Sequence, residues 1–154
     1  MPGQKTVRDS LTEMTELVLP QHSNVLGTAF GGTILAWIDV CGAIAAQRHC
    51  HHVAVTAAID EVTFLAPIKI GDVVVLSARV NAAFRTSMEV EVEVKVEDAH
   101  TGHRTRCVDA FMTFVSLGPD GVPCEVPELV AESADEEQRA AAARARRDAR
   151  LNRR

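Results

Sequence analysis

The chain has 154 residues, 47% of them hydrophobic and 24% charged, with a formal charge of -5. That suits one globular domain and a short tail, and the acidic balance excludes a typical nucleic-acid partner. Met1-Pro-Gly-Gln-Lys-Thr-Val-Arg carries no apolar signal core, so the expected location is cytoplasmic, with no membrane partner. Four cysteines without a C-x-x-C pair read as reduced thiols.

Residues 11 to 19 mix Thr, Glu and apolar side chains ahead of Pro20, the pattern of a first strand with one wet face. A Ser, Asn and Gly-rich loop over residues 21 to 29 leads through Gly31-Gly32 into a helix predicted to run to Cys50. Asp39 and three glycines within its apolar run favour a helix buried in its own protein over a membrane span. The cluster Arg48-His49-Cys50-His51-His52 suits a helix C-terminus. No metal site is expected there, because adjacent ligands cannot converge on one tetrahedral ion.

Strands are then predicted over residues 53 to 65, 73 to 84, 88 to 96 and 104 to 117. The third, Met88-Glu-Val-Glu-Val-Glu-Val-Lys-Val96, alternates strictly and reads as one buried and one solvated face. With no second helix for crossovers, the sheet should be largely antiparallel, an α+β layer of five to six strands around one long central helix. Residues 1–10 form an N-terminal segment, 11–127 the domain, and 128–154 a charged, Ala/Arg-rich helical tail. Its acids come first and its seven arginines last, matching a helix dipole, and it is expected to be a solvated helix prone to fraying.

Asp39 is the strongest chemical candidate: a carboxylate among Trp37, Ile38, Val40 and Cys41 must be desolvated at a cost or face something polar. Gly32, Ala36, Asp39, Gly42, Ala43 and Ala46 share a small-residue side of the helix, onto which another backbone could pack. Gly31 and Gly32 leave uncovered N–H groups at the helix start, suited to polarise a carbonyl; the bland alternative is a tight turn. Eight residues separate Gly31 from Asp39, roughly 12 Å along a helix. Acting on one carbonyl, the two must therefore come from different copies of the chain, at a two-fold interface.

The motifs Asn24-Val-Leu-Gly, Phe30-Gly-Gly-Thr, Ile38-Asp39-Val-Cys-Gly-Ala, Arg48-His-Cys, Asp60-Glu-Val-Thr-Phe-Leu-Ala-Pro, Lys69-Ile-Gly-Asp and Phe114-Val-Ser-Leu resemble the hotdog-fold acyl-CoA thioesterases of the YciA and brain acyl-CoA hydrolase group. The resemblance covers residues 11 to 130. It implies a hotdog fold, homodimers joined edge to edge and assembled as trimers of dimers, and hydrolysis of fatty acyl-CoA to fatty acid and CoA. It also implies Asp39 as general base or nucleophile and Asn24 as the loop residue that orients water or the carbonyl. Many relatives of this fold carry His before Gly-Gly where Phe30 stands, so catalysis leans on Asp39.

No cofactor is implied, CoA being part of the substrate. Its phosphates need positive charge and hydroxyls, and Arg85, Thr86 and Ser87 are the first choice. Arg104 and Arg106 either assist or pair across strands with Glu89, Glu91 or Glu93. A rival reading is an acyl-CoA sensor on the same fold that binds without hydrolysing.

Overall fold

The structure, a computed structural model, describes residues 2–153. Strict alternation in β5 (Ser87–Glu97) places Met88, Val90, Val92 and Val94 on one face with no solvent exposure. That strand is central in an antiparallel sheet of order β2 (Thr12–Leu17), β4 (Val73–Ala83), β5, β6 (Arg104–Leu117), β3 (Val53–Phe64). Consecutive strands β4, β5 and β6 are joined by short hairpins, as the turn residues anticipate. The helix α1 (Gly31–Cys50) has the predicted bounds and lies in the sheet's concave face.

Ile34, Ile38, Cys41, Ala45 and Ala46 carry the buried side of α1. At Gly42 an added Cβ would sit 3.1 Å from the Phe114 ring, so that glycine lets the helix settle onto β6. The expected small-residue side is therefore split: Gly42 and Ala46 face the sheet, while Gly32 and Ala36 are exposed. Packing by the chain's own sheet accounts for the first pair. The helix ends at His51, whose left-handed backbone (φ 56°) turns its N–H onto the Gln47 carbonyl at 2.7 Å.

The outer face of the sheet departs from expectation. Glu89 and Glu91, read as solvated, are only 2% and 5% exposed, because the tail folds back as α2 (Ala134–Asn152). The tail is helical and solvated along most of its surface, as expected, but one side docks on the sheet: α2 is capped by Ser133, whose hydroxyl accepts the Glu136 N–H at 3.1 Å, and it buries Ala140 and Ala143. Arg139, Ala143, Arg146 and Arg150 follow an i, i+4, i+7, i+11 stripe, the period of one helix face.

From that stripe Arg139 binds Glu91 at 2.7 Å, Arg146 binds both Glu89 oxygens at 2.8 and 2.9 Å, and Arg150 binds Asp60 at 2.8 Å. Arg146 also stacks over Phe111, and Arg147 over Phe84. Burial alone would push the Glu91 carboxyl up; hydrogen bonds from Asn81 and Arg139 and the Arg79 charge outweigh it and hold the group below the usual range. Two further strands, β1 (Gln4–Thr6) and β7 (Glu128–Val130), pair in parallel and tie the N-terminal segment to the approach of α2.

Candidate active site

The middle of α1 carries Asp39 at the margin of the core. Ile38 and Cys41 on its flanks are fully buried, Val40 is 51% exposed, and Asp39 itself is half-buried. The strand that meets it is β3, where Thr56 donates its hydroxyl to Asp39 Oδ1. Thr56 opposes Phe114 in the ladder, and paired residues share a face, so its hydroxyl points to the helix side of the sheet. Asp39 Oδ2 has no hydrogen-bond partner among the described residues, which leaves that oxygen able to accept a proton from water. Thr56 is the functional candidate that sequence reasoning missed.

Gly31 and Gly32 open α1 with no side-chain cap, and both are exposed. A Cβ on Gly32 would meet nothing within 4 Å, and one on Gly31 only the tip of Phe64 at 3.8 Å. The N–H groups of Thr33 and Ile34 bond the Phe30 carbonyl at 3.1 and 3.2 Å, whereas those of Gly31 and Gly32 have no acceptor among the described residues. Beside them lies an apolar groove of about 290 Å³ bounded by Ala29, Ile34, Phe64, Leu65 and Pro67. His22 packs edge-on against Trp37, with centroids 5.1 Å apart, and holds the preceding loop to the helix.

Asn24 is largely committed to that loop. Its Oδ1 accepts the N–H groups of Leu26 at 2.9 Å and Thr28 at 3.2 Å, and its Nδ2 donates to Thr28 Oγ1 at 2.8 Å. Its second amide hydrogen has no acceptor among the described residues.

Arg85, Thr86 and Ser87 form the β4–β5 hairpin. The Arg85 and Thr86 carbonyls accept from Val126 N at 3.0 Å and Ser116 N at 2.9 Å, which pins the turn. The Arg85 side chain is exposed and makes no salt bridge among the described residues. Ser87 opposes Val115, which opposes Val55, so the hairpin lies two strands from the Thr56 region, roughly 10 Å across the sheet. Arg104 and Arg106 are engaged elsewhere: Arg104 bonds Glu97 at 3.1 Å, and Arg106 pairs with Asp109. Cross-strand and local pairing is thus their role, although with partners other than the glutamates anticipated.

Among the described residues no group of three or more His, Cys, Asp or Glu side chains could hold a metal ion, and no helix is long and apolar enough to cross a membrane.

A long helix embraced by an antiparallel sheet is the hotdog arrangement. A family model described as "Thioesterase superfamily" matches residues 26–103, and the chain belongs to that family. Mouse acyl-coenzyme A thioesterase 11 is 41% identical over 99% of this chain, which spans only 25% of that protein's length. The uncharacterized acyl-CoA thioester hydrolase YkhA of Bacillus subtilis is 38% identical over 88% of this chain and 78% of its own.

Two solved structures superpose closely. One is the Staphylococcus aureus acyl-CoA hydrolase in complex with butyryl coenzyme A, coenzyme A and coenzyme A disulfide (TM-score 0.92, 35% identity, covering 97% of this chain and 92% of that one). The other is an apo-hexameric acyl-CoA thioesterase (TM-score 0.93, 38% identity, covering 98% and 97%). The staphylococcal hydrolase is also known with an asparagine, an aspartate or a threonine replaced by alanine. The intervals between those three positions equal the intervals separating Asn24, Asp39 and Thr56 here.

Proposed function

We propose that the protein is an acyl-CoA thioesterase, splitting fatty acyl-CoA and water into a free fatty acid and CoA. The observation that carries the reading is the Asp39–Thr56 pair: a half-buried carboxylate with one oxygen held by a hydroxyl and the other open. The staphylococcal hydrolase, whose structure contains CoA and butyryl-CoA, supports the substrate class.

In this reading the Gly31 and Gly32 N–H groups polarise the thioester carbonyl, and the negative charge that grows on its oxygen in the tetrahedral intermediate is met by those donors. Asp39 takes a proton from water as the water oxygen attacks the carbonyl carbon; the C–S bond then breaks, and the departing thiolate takes that proton from Asp39 to leave as the CoA thiol. Thr56 holds the carboxylate so that its open oxygen faces the water. The free amide hydrogen of Asn24 orients the same water or the carbonyl. Direct attack by Asp39, giving an anhydride that water then cleaves, uses the same geometry.

Gly31 and Asp39 stand about 12 Å apart along α1, so one site draws them from two chains. The free edge of β3 supports that arrangement: Val53, Val55, Ile59 and Phe64 are all exposed on it, and an uncovered twelve-residue edge strand is a template for a second copy. Dimers joined there, grouped in threes, form the proposed hexamer. Phe64 and Leu65 in the groove at the helix start receive the beginning of the acyl chain. Arg85, with Thr86 and Ser87, binds the CoA phosphates from the hairpin.

Thiol release from a panel of acyl-CoAs, measured for wild type and Asp39→Ala, tests the reading. The variant should lose at least about a hundredfold in kcat while still binding CoA esters. Equal rates would remove Asp39, and binding without thiol release by the wild type would make the protein a sensor. Arg85→Ala should raise KM for acyl-CoA more than for a thioester lacking the nucleotide.

A further inference from the structure

Asp60 belongs to the most extended motif of the chain, yet it lies on the face of the sheet opposite Asp39, where the proposed chemistry has no use for it. Two irregularities in β3 frame the problem. Pairing with β6 skips Ala57, between Thr56↔Phe114 and Ala58↔Thr113, and skips Asp60, between Ile59↔Met112 and Glu61↔Phe111. Each bulge re-aims the side chains on either side of it. Only Ala58 and Ile59 lie between the two, and a one-residue slip there would reverse the face on which Thr56 presents its hydroxyl. As an edge strand, β3 has no second neighbour within the protomer to resist that slip.

The outer bulge is clamped. Arg150 Nη1, in the final turn of α2, donates to both Asp60 oxygens at 2.8 Å and to Thr113 Oγ1 at 2.9 Å, and the Thr113 hydroxyl donates to Asp60 Oδ2 at 3.2 Å. The side chains of Arg150 and Asp60 are 16% and 5% exposed, so the triad is nearly dry and water competes little for its hydrogen bonds. Thr113 is also the ladder partner of Ala58. The clamp therefore fixes both the bulged residue and the pairing next to Thr56.

We propose that Arg150 is a positioning residue for the reaction: through Asp60 and Thr113 it holds the doubly bulged register of β3 that aims Thr56 at Asp39. The C-terminal helix thereby takes part in catalysis without touching substrate. This rests on the assignment of Asp39 as the reacting carboxylate.

The test is a double-mutant cycle between Arg150→Met and Thr56→Val, read as kcat and KM for the best acyl-CoA and as the 13C shift of the Asp39 carboxyl. Arg150→Met should lower kcat about tenfold, with KM changed less than about twofold. It should cost nothing further in the Thr56→Val background. Its Asp39 carbon signal should move to the position seen in Thr56→Val, and Arg150→Lys should recover part of both. Arg139→Met, which removes a neighbouring buried ion pair from β5, controls for lost stability and should keep kcat.

Additive losses, an unmoved Asp39 signal, or an equal loss of kcat in Arg139→Met would overturn the proposal. Should Arg150→Met fail to fold, Asp60→Asn takes its place in the cycle, with the same outcomes deciding. The carboxyl signal needs no turnover, so a wild type inactive on every acyl-CoA would reject the thioesterase reading while the register clamp is still decided by the spectrum.

Discussion

Carboxylates lie against both faces of the sheet, and the two sets are held in opposite ways. On the outer face Glu89, Glu91 and Asp60 each receive a guanidinium from α2, with distances of 2.7 to 2.9 Å. On the inner face Asp39, carried by α1, has a single neutral partner among the described residues, Thr56, and one open oxygen. Charge matched by charge in a dry setting locks two layers together and leaves nothing to react. A carboxylate with a hydroxyl on one side and space on the other is underused as structure, and that is the arrangement suited to moving a proton.

The sharpest way to break this comparison is to remove each carboxylate's function in turn. Asp39→Ala should abolish nearly all turnover, about a hundredfold or more, while the urea midpoint stays close to wild type because the side chain closes no buried ion pair. Arg146→Met should do the reverse. It strands Glu89, 3% exposed at its side chain, and should cost about 2 kcal/mol in chemical unfolding, with kcat of the folded fraction unchanged.

Gly42→Ala probes the seam between the two faces. The added methyl meets Phe114 at 3.1 Å, and either ring or helix must give, so a loss of about 1 kcal/mol is expected; thermal melting would detect it.

The smallest effects come from pH. Burial pushes the His49 imidazole below its ordinary value of 6.5, while its Nε2 bonds the Pro127 carbonyl at 2.8 Å. The unfolded chain therefore takes up the proton first, and stability should begin to fall as pH drops below that value, a slope that His49→Gln would flatten. Glu91 is held below its ordinary 4.5, so the stability it contributes is complete above that value and lost as pH falls through the folded one. Melting curves from pH 7 to pH 3 would separate the two windows.

Much of this arrangement was legible in the chain. The twenty-residue helix announced itself by the Gly-Gly start and by an apolar run ending in Arg48 and His49, and β5 by its period of two. The role of its glutamates was not legible, because the alternation Met88 to Val96 is the same whether the second face meets water or another helix. What covers it is α2, whose Arg139, Arg146 and Arg150 carry the right spacing but whose apolar residues are mostly alanine, too small to raise a hydrophobic stripe. Thr56 was hidden for another reason: a single threonine in a strand gains meaning only from a contact seventeen residues away, and the bulge at Ala57 that directs it leaves no mark in composition.

The parallel pairing of Gln4–Thr6 with Glu128–Val130 makes the first residues of the chain a leash for its last helix. Cutting that leash would leave the guanidiniums of α2 to find their acids from a much lower effective concentration. A trimmed or bulky N-terminus would thus be felt on the far side of the sheet, and the placement of a purification tag becomes a biochemical variable in its own right.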